Sequence, residues 1–237
     1  MPAYNEQKRI GSTLRTVLDY LEQQKLDAEI IVVDDGSRDS TVQIISQFAA
    51  KSPQVRLIQN PGNRGKGYSV RNGMLNARGR LLLFTDADLS CPISESAKLF
   101  AALESGADVA MGSRWLDPSL QFHRQSLKRQ FLSRVYNLFL RLVLGFPYRD
   151  TQCGFKAFSR RAVERIFPLQ RIYRWGFDPE LIFLAGRMGL KVEEVPVIWG
   201  HDDLSKIHPI RDGFRMGLEV LKIRWLALTG KYRSRAN

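Results

Sequence analysis

The chain has 237 residues, enough for one large α/β domain or two small ones, and its 44% hydrophobic and 10% aromatic content excludes a disordered polymer. Thirty-six Lys and Arg against 24 Asp and Glu leave a formal charge of +12, which suits nucleic acid, an anionic leaflet or phosphorylated substrates, or else simply a solvated basic surface. Cys91 and Cys153 stand apart with no metal-ligand spacing, so a disulfide framework is excluded and a reducing compartment fits.

In chain order, Pro2-Ala3-Tyr4-Asn5-Glu6 is turn-like and shows no signal-peptide character. Ile10 to Gln24 carries apolar residues at helical spacing. Glu29 to Val33 reads as a buried strand ending in Asp34 and Asp35, Ser40 to Ala50 as a helix, and Val55 to Gln59 as a strand. Lys66 to Ala77 is an expected helix and Arg80 to Thr85 an apolar strand ending at Asp86. A helix from Ser94 to Glu104 and a strand from Asp108 to Gly112 follow. This alternation implies an α/β fold with a parallel, doubly wound sheet and helices on both faces.

After Arg114 the rhythm changes, and a functional boundary near Ser113 is expected within one compact fold. A basic helix is predicted over Gln125 to Leu144, a turn through Gly145, Pro147 and Asp150, and a helix over Pro179 to Met188. A strand over Lys191 to Trp199 and a basic amphipathic segment over Pro209 to Leu228 complete the chain. The longest apolar run, Val135 to Phe146, contains Arg141 and is too short to span a bilayer, so any membrane contact is expected to be peripheral.

The acidic clusters fall at the carboxyl ends of predicted strands, where open α/β sheets bind ligands. Asp86 and Asp88, two apart, can share a hard cation such as Mg²⁺ or Mn²⁺ together with substrate phosphates, or one of them can cap the next helix. The PAYNE loop could offer Tyr4 and Glu6 to a base. Asn63-Arg64-Gly65-Lys66-Gly67 opens a helix and reads either as an anion site or as a glycine turn with a solvated Lys66. His123, His201 and His208 form no ligand spacing.

PAYNE, VVDDGSRDST, NRGKG, TDADLS, GSR, LKRQFLSRVYN, RDTQCGFKAF, RWGFDPEL and LSK occur in that order over nearly the whole chain. Together they resemble family-two glycosyltransferases, most closely the dolichyl- and polyprenyl-phosphate glucosyltransferases, with the mannosyltransferases next. The resemblance implies a GT-A nucleotide-diphospho-sugar transferase fold, mostly parallel. It also implies a donor half over 1–113, an acceptor half over 114–208 and a basic C-terminal helix and tail over 209–237. By the same resemblance Pro2, Ala3, Tyr4, Glu6, Asp34, Asp35, Lys66 and Asp86 are expected donor contacts, and Asp86 and Asp88 hold the metal. Arg114, Lys128, Arg129, Asp150, Gln152, Lys156 and Lys206 are implied on the acceptor-phosphate side. Asp88, Arg114, Lys206 and Asp178 are the implied catalytic residues, and Asp178 and Glu180 are implied near sugar or acceptor. Trp175 and Phe177 read as core or interface aromatics or as sugar platforms.

Two departures stand out. The family's first strand, just before PAYNE, is absent, and Trp199-Gly200-His201 replaces the arginine that related mannosyltransferases place upstream of the LSK lysine.

The implied reaction moves a hexose, glucose from UDP-glucose or mannose from GDP-mannose, onto a dolichyl or polyprenyl phosphate at the cytoplasmic face of a membrane. Such an acceptor is largely a dianion near neutrality and needs no general base. A glycan or other hydroxyl acceptor, with Asp178 as base, is the rival enzyme reading. Anionic lipid is the expected surface for the two basic helices, unless their apolar faces pack on the protein. No nucleic-acid partner is expected, because aromatics are not interleaved with a basic groove pattern.

Overall fold

The computed structural model describes residues 1–123, 127–200 and 209–232, excepting the side chains of 123, 127–132 and 209–212. The first half alternates as expected. β1 (Pro2–Ala3) is followed by α1 (Ile10–Gln23), β2 (Ile30–Asp34), α2 (Thr41–Lys51), β3 (Val55–Gln59) and α3 (Lys66–Asn76). Next come β4 (Leu81–Thr85), α4 (Ser96–Glu104) and β5 (Val109–Ser113). The second half holds β6 (Gln121–His123), α5 (Leu127–Leu144), β7 (Phe155–Ser159), α6 (Arg160–Ile166), α7 (Phe177–Arg187), β8 (Val192–Pro196), β9 (Trp199–Gly200) and α8 (Pro209–Leu228).

Burial periods explain the elements. Ile10, Leu14, Val17 and Leu21 put one face of α1 into the core, and all five residues of β2 are buried, as a central parallel strand requires. On β4 the pleat divides the side chains. Leu82 and Phe84 join the cluster with α6 and α7, whereas Leu81 and Leu83 pack with Leu99, Ala102 and Leu103 of α4.

The strands β1-β2-β3 run parallel, and a second sheet has the order β4-β7-β5-β8. The sheet is mostly parallel, as the resemblance implies: β5 and β8 are parallel, while β7 is antiparallel to both β4 and β5. The chain signal was masked by Lys156, which interrupts an otherwise apolar Phe155–Phe158 run and is itself fully buried. The sequence also left α6 unassigned, a helix capped by Ser159 Oγ accepting from Ala162 N at 3.1 Å. Between β2 and β4, which are not hydrogen-bonded neighbours, lies an apolar cavity of about 630 Å³ lined by Ile30, Ile31 and Leu81 to Thr85.

α5 and α8 pack on one another, and each keeps an outward apolar stripe in addition to its buried face. Val135, Leu138 and Leu142 are 49–76% exposed on α5, as are Phe214, Leu218, Leu221, Trp225 and Leu228, at 50–76%, on α8. No described helix is long and apolar enough to cross a membrane.

Candidate active site

β1, β2 and β4 end on the same side of the molecule, and a cleft of about 470 Å³ opens there. Its walls include Pro2, Ala3, Tyr4 and Glu6 from the PAYNE loop, Asp35 after β2, and Asp86 and Asp88 after β4. Lys66 enters from the first turn of α3, and Arg174 and Trp175 close the opposite edge. The PAYNE loop is knitted to the segment after β2: Asn5 N donates to Ser37 Oγ at 2.9 Å, and Glu6 N donates to Thr41 Oγ1 at 2.7 Å.

The two aspartates after β2 part company. Asp35 lines the cleft, while Asp34 turns inward and accepts from Gly36 N and Ser37 N at 3.0 and 3.1 Å, stabilising the turn. Asp35 also engages the NRGKG loop. It accepts from Arg64 N at 2.9 Å and Gly65 N at 2.8 Å, so a carboxylate already occupies the amide-rich start of α3. The glycines serve close approach instead: a Cβ on Gly67 would lie 2.7 Å from Phe177 Cβ and 2.8 Å from Ile172 O.

Asp86 and Asp88 both face the cleft. Burial, reinforced by the charge of Asp86, pushes the Asp88 carboxyl above its ordinary pKa. Lys66 Nζ lies 2.7 Å from Asp86 Oδ1. Burial alone would lower the Lys66 pKa, but Asp86 and Asp178 more than reverse that and hold it above the usual lysine value. Two carboxylates two residues apart that both line one cleft fit a divalent cation. No trio of metal-binding side chains occurs among the described residues, and hard cations such as Mg²⁺ are commonly held by one or two carboxylates together with substrate phosphates.

Gly154 of the RDTQCGFKAF segment packs against Asp86 so closely that a Cβ would sit 2.0 Å from Oδ2. Nothing in the sequence marked this contact, because glycine spacing does not report what approaches it.

The acceptor-side residues are less available than the sequence implied. Arg114 makes a two-pronged contact to Asp150, with Nε to Oδ2 at 2.7 Å and Nη2 to Oδ1 at 2.8 Å, and its guanidinium stands 5.2 Å from the centre of the Trp199 ring. Burial would raise the Asp150 carboxyl, yet Arg114 holds it below the usual carboxylate range. Asp150 is fully buried, so its side chain orients Arg114 instead of meeting a ligand. Lys156 is also fully buried and donates to Asp178 and to Cys153 O, which removes it from phosphate binding. Asp178 is 5% exposed and outside the cleft lining. Gln152 N donates to Asp150 Oδ1 at 3.3 Å. Glu180, expected near sugar or acceptor, is fully buried behind the cleft wall. Lys128 and Arg129 lie on α5 with side chains outside the described residues, and Lys206 lies outside them altogether. Trp175 is a cleft residue, whereas Phe177 is fully buried.

A family model described as Glycosyl transferase family 2 matches residues 1–167. Three dolichyl-phosphate beta-glucosyltransferases are similar along almost the whole chain. The Drosophila melanogaster protein is 37% identical over 98% of this chain and 76% of its own, and the Homo sapiens protein 35% over the same shares. The Dictyostelium discoideum protein is 34% identical over 98% of this chain and 75% of its own. Among solved structures, mannosyl-3-phosphoglycerate synthase from Rubrobacter xylanophilus superposes with a TM-score of 0.69 at 18% identity, over 100% of this chain and 75% of that one. Glucosyl-3-phosphoglycerate synthase from Mycobacterium tuberculosis, in complex with Mn²⁺ and UDP-glucose, gives 0.64 at 21% identity, over 97% of this chain and 77% of that one. These two likenesses show a shared GT-A fold. By the reach of the family model and the identity to its relatives, the chain belongs to glycosyl transferase family 2.

Proposed function

We propose that this hexosyltransferase carries glucose from UDP-glucose to a dolichyl or polyprenyl phosphate, with inversion, while resting on an anionic membrane surface. The observation that carries the reading is the convergence of Asp86, Asp88 and Lys66 with the PAYNE loop on one cleft. Kinship supplies the substrates, since the relatives at 34–37% identity carry names that specify glucosyl transfer to dolichyl phosphate.

Tyr4 supplies an aromatic ring and Asp35 a carboxylate to the cleft lining, groups that suit a base and a ribose. Asp86 and Asp88 would hold Mg²⁺ or Mn²⁺, which as a Lewis acid offsets charge on the departing diphosphate. Lys66 adds a fixed positive charge beside Asp86, and Arg174 supplies a second cation on the cleft wall. The acceptor phosphate is largely ionised near neutrality, so attack on the anomeric carbon requires orientation and charge compensation in place of proton removal. Arg114, locked by Asp150, is the described cation best fixed for that task on the acceptor side. A hydroxyl acceptor would need a base. Asp178, the candidate, is closed off by Lys156, which favours the phosphate acceptor.

The membrane part rests on the exposed stripes of α5 and α8, flanked by the exposed Arg134, Arg141, Arg215, Lys222 and Arg224. Apolar side chains open to solvent beside cations complement an anionic leaflet, where each basic residue contributes about 1 kcal/mol.

A donor panel of UDP-glucose and GDP-mannose with a short polyprenyl phosphate, with and without Mn²⁺ or Mg²⁺, tests the reading. UDP-glucose should give product that Asp88→Ala abolishes. Transfer to a hydroxyl acceptor with none to the lipid phosphate would overturn it.

A further inference from the structure

Arg174 and Trp175 line the cleft from residues 170–176, a segment without regular secondary structure. Such a segment presents side chains reproducibly only if its backbone is fixed by neighbours. Two carboxylates do so, and neither lines the cleft. Glu180 on α7 accepts from Arg171 N at 2.9 Å and Ile172 N at 2.8 Å, and receives the hydroxyl of Tyr232 from the turn after α8. Glu219 on α8 accepts from Gly176 N at 2.7 Å.

The contact at Gly176 leaves no slack, because a Cβ there would lie 2.6 Å from Glu219 Oε2. Between these anchors, Tyr173 O accepts from Tyr68 N at 3.1 Å and pins the middle of the segment to α3. The segment is therefore suspended at both ends from the helices behind it, with Arg174 and Trp175 facing the cleft. Lys66 Nζ lies 5.4 Å from the centre of the Trp175 ring and 2.7 Å from Asp86, so Trp175 borders the cation that pairs with the carboxylates.

Half-buried carboxylates on helices are costly to retain, and burial raises the Glu219 pKa above its ordinary value. The backbone amide it holds accounts for its presence.

We propose that Glu219 and the Glu180–Tyr232 pair are positioning residues, through which α8 and the turn after it hold Arg174 and Trp175 in place over Lys66 and Asp86. The inference rests on reading the cleft as the donor site, and it gives none of the three a contact with substrate.

Incorporation of 5-fluorotryptophan into the full chain gives four ¹⁹F resonances, from Trp115, Trp175, Trp199 and Trp225, with Trp175→Phe assigning the one of interest. Glu219→Ala should shift or broaden the Trp175 signal, leave Trp115 and Trp199 in place, and raise KM for UDP-glucose about tenfold with kcat within about twofold, as expected for one charge-assisted hydrogen bond. Glu219→Gln retains an acceptor oxygen and should restore both. If Glu219→Ala does not fold, Tyr232→Phe provides the same readout through Glu180. An unmoved Trp175 signal in the folded variant, or Glu219→Gln behaving like Glu219→Ala, overturns the proposal. A moved Trp175 signal in a protein that transfers no glucose refutes the donor reading and leaves the support standing.

Discussion

Gly154→Ala adds a single methyl group where the structure has no room for one. The Cβ would fall 2.0 Å from Asp86 Oδ2 and 2.7 Å from Cγ, while an ordinary contact begins near 3.4 Å, so the carboxylate or its neighbour must retreat by about 1.4 Å. Asp86 is also tied to Lys66, so it cannot move without stretching that ion pair. Overpacking of this kind costs about 1–3 kcal/mol of stability, and a displacement near 1 Å at a reacting centre lowers the rate roughly 10²-fold. Steady-state glucosyl transfer, titrated with Mn²⁺, should show kcat/KM reduced on the order of 10²-fold with a rightward shift in metal dependence. Thermal melting on the same preparation separates loss of fold from loss of geometry. A folded variant with native kcat/KM and native metal dependence would refute the placement of Asp86 against Gly154.

Arg114→Met leaves Asp150 fully buried without its guanidinium and should cost about 3 kcal/mol in urea unfolding; a loss under about 1 kcal/mol would contradict the buried pair. The Glu180 carboxyl is pushed up to about 7 by burial, against hydrogen bonds from Tyr232, Ile172 and Arg171 that act to lower it. Because that folded value exceeds the ordinary 4.5, the folded chain holds an extra proton between pH about 4.5 and about 7. Stability should fall as pH rises through that window and level off above it, and Glu180→Gln should flatten the slope measured by denaturant melts. Leu218→Glu with Trp225→Glu alters side chains that are 52% and 56% exposed, so melting should hardly change. Co-sedimentation with anionic vesicles should weaken at least about tenfold, given roughly 1–3 kcal/mol for each apolar side chain buried in lipid. Failure of the unaltered protein to bind such vesicles at low salt would remove the membrane reading.

Much of the first half was legible because short-range pattern decides it. Ile30–Val33 is apolar throughout and reads as a strand buried on both faces, and the acidic residues that close β2 and follow β4 had to emerge at the sheet's carboxyl edge. The site's parts were therefore legible as a list: the PAYNE loop, Asp35, Lys66, Asp86 and Asp88 all meet in the cleft. The strand Phe155–Ser159 was not legible, because a lysine in an apolar run signals exposure, and its burial is made tolerable by the distant Asp178 together with Cys153 O.

The amino-acid order thus determined the family, the alternating architecture and the set of polar residues around the cleft, since all of these rest on local periodicity and on motifs read along the chain. Only the tertiary structure decided which polar groups face a ligand and which bind one another. Asp34 turned to its own loop while Asp35 joined the cleft lining and the start of α3, Asp150 was committed to Arg114, and Lys156 was sealed beneath Asp178. A charged side chain's role depends on whether water, a ligand or an opposite charge compensates it, and that partner is chosen by contacts between residues far apart in sequence.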